Sequence, residues 1–359
     1  MADFFALIGP RTASESALIL LSAVILALFL VTVAFSGYTV LLRIRNERRS
    51  RLWQELTRRW EAPVLAAIMD PDEIPAAVAA VPDQYRLHFV QFVLDYTRRL
   101  RGEERRTLRR LAEPFLGPIA EKMGDRRAEV RTRAVQTLGT LGLPKYANQV
   151  LAGLEDPSPL VSMVAARSLA RREFPQFMPA VMGHLARFEG WNHRFLASML
   201  ATTGPDVSPV LREGLADENT PAWLRAVHAE ALRMQLDPVS GDIAASVLET
   251  ATDRELVAAL LRLLATVGRP EHCDVIRAYC SSPDMMVRAQ ALHALGQLGT
   301  EAEIPFLLEA MKDASPWVAL HAARGVREAG GERVLGELAA SDHAHARLAG
   351  QVLYQEDDA

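Results

Sequence analysis

Cysteine is nearly absent. Cys273 and Cys280 are the only two in 359 residues, too few for a disulfide framework or a four-ligand zinc site. Seven apart, they share a helix face about 10 Å from each other, which excludes a disulfide and reads as two buried thiols. Aromatics are only 6% of the chain. An excess of one charge is also lacking, because 40 basic against 44 acidic residues leave −4, so no global field points to nucleic acid or a membrane surface. Gly 21 and Pro 20 are too few for a collagen-like or mucin-like chain. Phosphate-binding loops of the Walker type, G-x-G-x-x-G and the nucleophile elbow G-x-S-x-G do not occur. With half its residues hydrophobic the chain is not disordered. These absences point to a folded protein that is not an enzyme and holds no cofactor.

What is present begins with one long uncharged run, 27 residues from Ser16 to Leu42. A helix needs about 20 apolar residues to cross a bilayer core, and this run reaches about 40 Å. A cleaved signal peptide would have a basic start and a core of about 7–15 apolar residues. The start here carries Asp3, Arg11 and Glu15, and the run is longer, so an uncleaved transmembrane helix over 16–42 is expected. Arg43, Arg45, Arg48, Arg49 and Arg51 follow at once, with only Glu47 among them. Positive flanks stay in the cytoplasm. Residues 1–15 therefore form an extracytoplasmic tail, and the rest lies on the cytoplasmic side of a bacterial inner membrane. Thr12 and Glu15 fit a capping box, while Phe4, Phe5, Leu7 and Ile8 suit either the outer interface or a frayed end.

Residues 43–63 continue as a basic juxtamembrane helix. Leu52, Leu56 and Trp60 share a face with Trp53 beside them. Two readings stay open for this segment. In one it lies on anionic lipid, with the five arginines, Trp53 and Trp60 as the lipid candidates. In the other its apolar face packs on the soluble part.

The strongest signal is self-similarity. EVRTRAVQTLGTLG from Glu129 aligns with MVRAQALHALGQLG from Met286, and related segments are anchored at Val161, Asn192, Leu224, Leu256, Val318 and Ala344. The steps between anchors are 31, 31, 32, 32, 31, 31 and 26 residues. Eight places after each anchor stands Leu138, Leu169, Leu200, Leu232, Leu264, Leu295, Val326 or Val352, aliphatic without exception. Twelve places on stands Gly142, Gly204, Gly268, Gly299 or Gly330, which fits a left-handed helix stop. Small residues such as Ala134, Ala165, Ala197, Ala229, Ala291 and Ala322 allow close helix approach. Loops read EDPSP, SSPD and KDASP, the chemistry of turns. Each unit is thus a helix pair that cannot bury its apolar face alone, and stacked pairs make one core. The predicted fold is all-α: a transmembrane helix, a divergent helical lead-in over 64–112, and an α-solenoid over 113–354.

The pattern V-R-x-x-A-x-x-x-L-G-x-L-G, preceded by a helix such as IPFLLEAMKD, resembles the HEAT repeat in the short form found in bacterial scaffolds and phycobilin-lyase relatives. The unit at Asn192 departs from it with Asn-His for Val-Arg, and the unit at Leu256 has Val257 where Arg is usual. The resemblance implies that Arg131, Arg225 and Arg288 join an aspartate of a neighbouring turn, such as Asp125, in a structural ladder. It also brings enzymes into view. An iron hydroxylase of this kind needs several His-Glu dyads, whereas only the reversed Glu271-His272 occurs. His193, His228, His293 and His321 occupy four different offsets in their units, which reads as structural or surface histidines. His343 and His345 are at most a weak metal pair near the terminus.

Charge is unevenly placed. Residues 43–133 carry 20 basic and 14 acidic groups, and residues 134–359 carry 19 and 28. A distal half of −9 argues against nucleic acid. In the proximal half Arg98, Arg99, Arg101, Arg105, Arg106, Arg109 and Arg110 form a basic patch for lipid headgroups or an acidic partner, or a solvated face beside Glu103 and Glu104. The function expected is a membrane-anchored scaffold that binds or regulates a partner protein through a curved, mostly acidic surface. Its layout resembles accessory subunits of membrane machinery, such as envelope-polysaccharide glycosyltransferases. The rival readings are a lyase- or chaperone-like protein with a small molecule in the groove, and a protein that binds anionic lipid.

Overall fold

The computed structural model describes residues 13–97, 99–100, 102–171 and 175–354, and every regular element in them is helical. The chain divides into two units, residues 1–115 and 116–359.

The first unit holds four α-helices: α1 (Ala13–Met69), α2 (Ile74–Ala79), α3 (Arg86–Thr97) and α4 (Gly102–Ala112). Helix α1 is continuous for 57 residues and includes the whole uncharged run. Its apolar stretch is long enough to cross a membrane and is exposed throughout its described part. A helix boundary at Pro63 is not found. Proline removes one backbone donor, but Leu56, Trp60, Val64 and Ala67 stay in phase across it and are all buried, so packing carries the helix on to Met69. The partners are the aromatic residues of α3 and the apolar face of α4, where Leu108 and Leu111 are fully buried. Trp60 meets Phe89 edge-on at 5.3 Å and Phe92 at 5.7 Å.

The second unit is eight helix pairs. The first helices are α5 (Gly117–Glu121), α7 (Pro144–Ala152), α9 (Met178–His184), α11 (Ser208–Ala216), α13 (Ser240–Thr250), α15 (Cys273–Tyr279), α17 (Ile304–Ala310) and α19 (Glu332–Ala339). The second helices are α6 (Ala128–Leu141), α8 (Pro159–Leu169), α10 (His193–Ala201), α12 (Ala222–Gln235), α14 (Arg254–Val267), α16 (Met285–Leu298), α18 (Pro316–Glu328) and α20 (Ala346–Leu353). Second helices pack on second helices, as in α12 on α14 and α16 on α18, and first helices form the other layer, as in α11 on α13. All eight residues of the aliphatic column are buried, and so are Ala134, Ala165, Ala197, Ala229, Ala291 and Ala322.

The glycine column is more varied than a row of left-handed stops. Gly142, Gly204 and Gly330 have positive φ. Gly268 and Gly299 are extended. There a Cβ would strike the carbonyl of Leu264 or Leu295 at 2.5 and 2.4 Å, so glycine is required by space. In the fourth unit, which lacks this glycine, Leu236 takes the left-handed place, with φ 55°.

Candidate partner-binding face

The second-helix layer presents one side chain set to the core and another outward. Within the eight second helices stand twelve arginines, no lysine, and four acidic residues, Glu129, Glu230, Glu255 and Glu328, a net of +8. The expectation of a mostly acidic binding surface is therefore corrected for this layer. The acidic excess of the distal half lies on the first helices and the loops.

Near the middle of the layer, α10, α12 and α14 enclose a groove of about 430 Å³. His193 spans it: Nδ1 lies 2.7 Å from Glu255 Oε1, and Nε2 lies 3.1 Å from the Glu189 carbonyl. Both partners are acceptors, so both ring nitrogens must carry protons for both bonds to form. Burial works against the charged ring, but Glu255 and the carbonyl outweigh it and His193 is raised above the usual histidine range. Trp223 stacks on the ring at 5.0 Å. Deeper in, Glu230 accepts from Arg233 at 2.7 and 3.0 Å and from Arg262 at 3.5 Å. Burial would raise its pKa, yet the two guanidinium groups hold it below the usual carboxylate range. Arg194 is exposed at the rim and makes no ion pair among the described residues.

The ladder arginines serve a different end. Arg131 makes a two-pronged pair with Asp156, both bonds 2.8 Å, and donates to the Asp125 carbonyl at 2.9 Å. The Asp125 carboxylate is not its partner, since it caps the backbone of Arg127 at 2.9 Å. Arg288 repeats the arrangement with Asp313 at 2.8 and 3.1 Å and the Ser282 carbonyl at 2.8 Å. Arg225 has no such aspartate, because Thr250 stands where Asp156 and Asp313 do, and among the described residues it donates to the Leu215 carbonyl at 2.9 Å.

The lipid candidates separate. Arg43, Arg45, Arg48, Arg49 and Arg51 are exposed along α1, and Trp53 is half-buried beside His88. Trp60 is only 2% exposed, enclosed by Phe89 and Phe92, and so is corrected from a lipid candidate to a core residue. In the basic patch Arg99, Arg106 and Arg110 are exposed while Arg105 and Arg109 are half-buried on α4. Arg98 and Arg101 lie outside the described residues.

Asp242, Glu271 and His272 form the one three-residue cluster of potential ligands among the described residues. Arg269 pairs with both carboxylates, and its backbone N–H donates to His272 Nδ1 at 3.1 Å, so the ring directs a proton from Nε2 to Asp242. The cluster is internally satisfied. Burial pushes the Cys280 thiol up to about 12 and raises Cys273 as well, which disfavours a reactive thiolate.

A family model described as HEAT repeats matches residues 242–327, which cover the pairs from α13 to α18. The fold is thus an all-α, HEAT-like solenoid with a long apolar N-terminal helix. No curated protein matches in sequence. Among solved structures, the complex of CpcE and CpcF of phycocyanin lyase from Nostoc sp. PCC7120 is 16% identical over 66% of this chain and 85% of that one, with a TM-score of 0.32. Kap121p bound to Nup53p is 13% identical over 80% and 39%, with a TM-score of 0.45. Human deoxyhypusine hydroxylase is 17% identical over 77% and 96%, with a TM-score of 0.31. Likenesses of this degree say nothing about activity.

Proposed function

We propose that the chain is a scaffold anchored by α1 in a bacterial inner membrane, with its solenoid on the cytoplasmic side holding a partner protein. The observation that carries this is the second-helix layer, where Leu160, Met286, Trp317, Arg167 and Arg194 are exposed to solvent. Tryptophan and arginine are the usual anchors of protein interfaces. The five arginines after Leu42 support the orientation. The reading assigns no catalytic step to the chain, and its finer form is an accessory subunit of an envelope-polysaccharide glycosyltransferase.

Affinity capture of the full chain from native membranes tests it. One stoichiometric partner is expected, and its identity decides the finer form. Repeated recovery of the chain alone overturns the scaffold. Protease added to intact spheroplasts should leave the solenoid uncut, and cleavage from outside would overturn the orientation.

A further inference from the structure

We infer that the second-helix face takes an extended acidic segment of its partner, with an apolar residue at about every third position and carboxylates between. This rests on the scaffold reading above and adds the chemistry of what is bound.

Two columns of the repeat carry the inference. The residue just before each anchor is Leu160, Trp191, Trp223, Met286 or Trp317 in five of the eight units. This column holds three of the five tryptophans of the chain. Leu160, Met286 and Trp317 are 46, 45 and 48% exposed, and the other two are half-buried. One exposed leucine means nothing. A row in register at the starts of successive second helices, broken by Glu255, is a stripe; Trp191 also meets the buried Phe188 edge-on at 6.2 Å, and Trp223 stacks on His193.

Seven residues further along, hence two turns on and on the same helix face, stand Arg167 after Leu160, Arg324 after Trp317 and Arg262 after Glu255, with Glu230 after Trp223 accepting from Arg262 at 3.5 Å. Arg167 is exposed and lies over the Phe195 ring at 5.8 Å, which joins the two rows across α8 and α10. The groove lies between the rows. With His193 charged, its four cations exceed its two glutamates by two, and Arg194 makes no ion pair among the described residues.

The spacing selects the shape of the occupant. Packed helices are about 8–10 Å apart, and an extended chain advances about 3.3 Å per residue. A segment running along the apolar stripe therefore meets a new helix every third residue. The residues between turn toward the arginine row, where carboxylates are matched by guanidinium forks.

The test uses the full chain in phosphatidylcholine nanodiscs and fluorescent peptides of about 15 residues, the length that spans five helices at this spacing. The Leu-Asp-Glu repeat should bind at least about tenfold more tightly than either Leu-Lys-Lys or Ser-Asp-Glu repeats. Arg167→Glu with Arg194→Glu, and separately Trp317→Ser, should each weaken it about tenfold while the thermal unfolding midpoint stays unchanged. Equal binding of the lysine peptide, tighter binding of oligouridine, or no binding of the acidic peptide overturns the inference. If the doubly substituted chain still captures its native partner, this face is wrong and the scaffold stands. If the unaltered chain captures none, the scaffold reading itself fails.

Discussion

An arginine one place after the anchor does different work depending on what stands 25 residues downstream. Arg288 binds Asp313 through two prongs and two loop carbonyls besides, a geometry that lysine cannot reproduce. Arg288→Lys should lower stability by about 1–3 kcal/mol, and Arg225→Lys by distinctly less, in thermal unfolding of the full chain in micelles. Asp313 and Asp156 are held below the usual carboxylate range, first by their arginines. That stabilisation is present above the unfolded carboxylate pKa and is lost as pH falls through the folded one. His228 also weakens the fold in acid. Burial against Gly214 depresses it to about 4, so its contribution is complete above the unfolded value and declines as pH falls from about 6.5 toward 4. Over that window wild type should lose up to about 1.4 kcal/mol per pH unit more than His228→Leu, read from denaturant unfolding at a series of pH values.

At the scale of helices, close approach decides which glycines matter. A Cβ at Gly296 would stand 2.3 Å from the Gly325 Cα, backbone against backbone between α16 and α18. Gly296→Ala should cost about 1–3 kcal/mol despite its better helix propensity. Gly336→Ala on α19 meets nothing within 4 Å and should stabilise by up to about 1 kcal/mol, so the two midpoints should move in opposite directions. The bridge from His193 on α10 to Glu255 on α14 passes over α12 and has the opposite pH sense to His228. Its folded pKa is raised, so its stabilisation is full below about 6.5 and is lost as pH rises through the folded value. Glu255→Gln should bring the His193 titration downward in an NMR series, and an unchanged midpoint would remove Glu255 as its partner. Much of this level was legible beforehand. The aliphatic column placed every second helix, because burial at a fixed register leaves a period. The extended Gly268 and Gly299 were not legible, since a glycine required by space looks the same in sequence as one required by φ. The ladder arginines were evident, but their partners Asp156 and Asp313 are set by how consecutive turns stack, which spacing within one unit does not reveal.

For the whole molecule, net charge concealed two partitions. The first, basic near the proposed anchor and acidic beyond, follows from counting along the chain. The second, arginine on second helices and carboxylates on first helices and loops, needs helix boundaries before any residue can be assigned a layer. Trp60 shows the same limit on α1. Its four-residue spacing from Leu56 marked an apolar face, but only Phe89 and Phe92 determine that protein covers it and lipid does not.

The unbroken α1 also sets a height and a bearing. Fourteen residues separate Leu42, the last of the uncharged run, from Leu56, the first to enter the core of the first unit, which is about 20 Å of rigid helix. With the span in lipid, that core stands at a fixed elevation and faces one direction around the helix axis. Inserting seven residues after Arg51 would raise it by about 10 Å and turn it by only about 20°. Inserting two would lift it by about 3 Å and swing it to nearly the opposite side. Partner capture that survives the longer insertion and fails with the shorter one would mean that bearing, more than height, governs assembly.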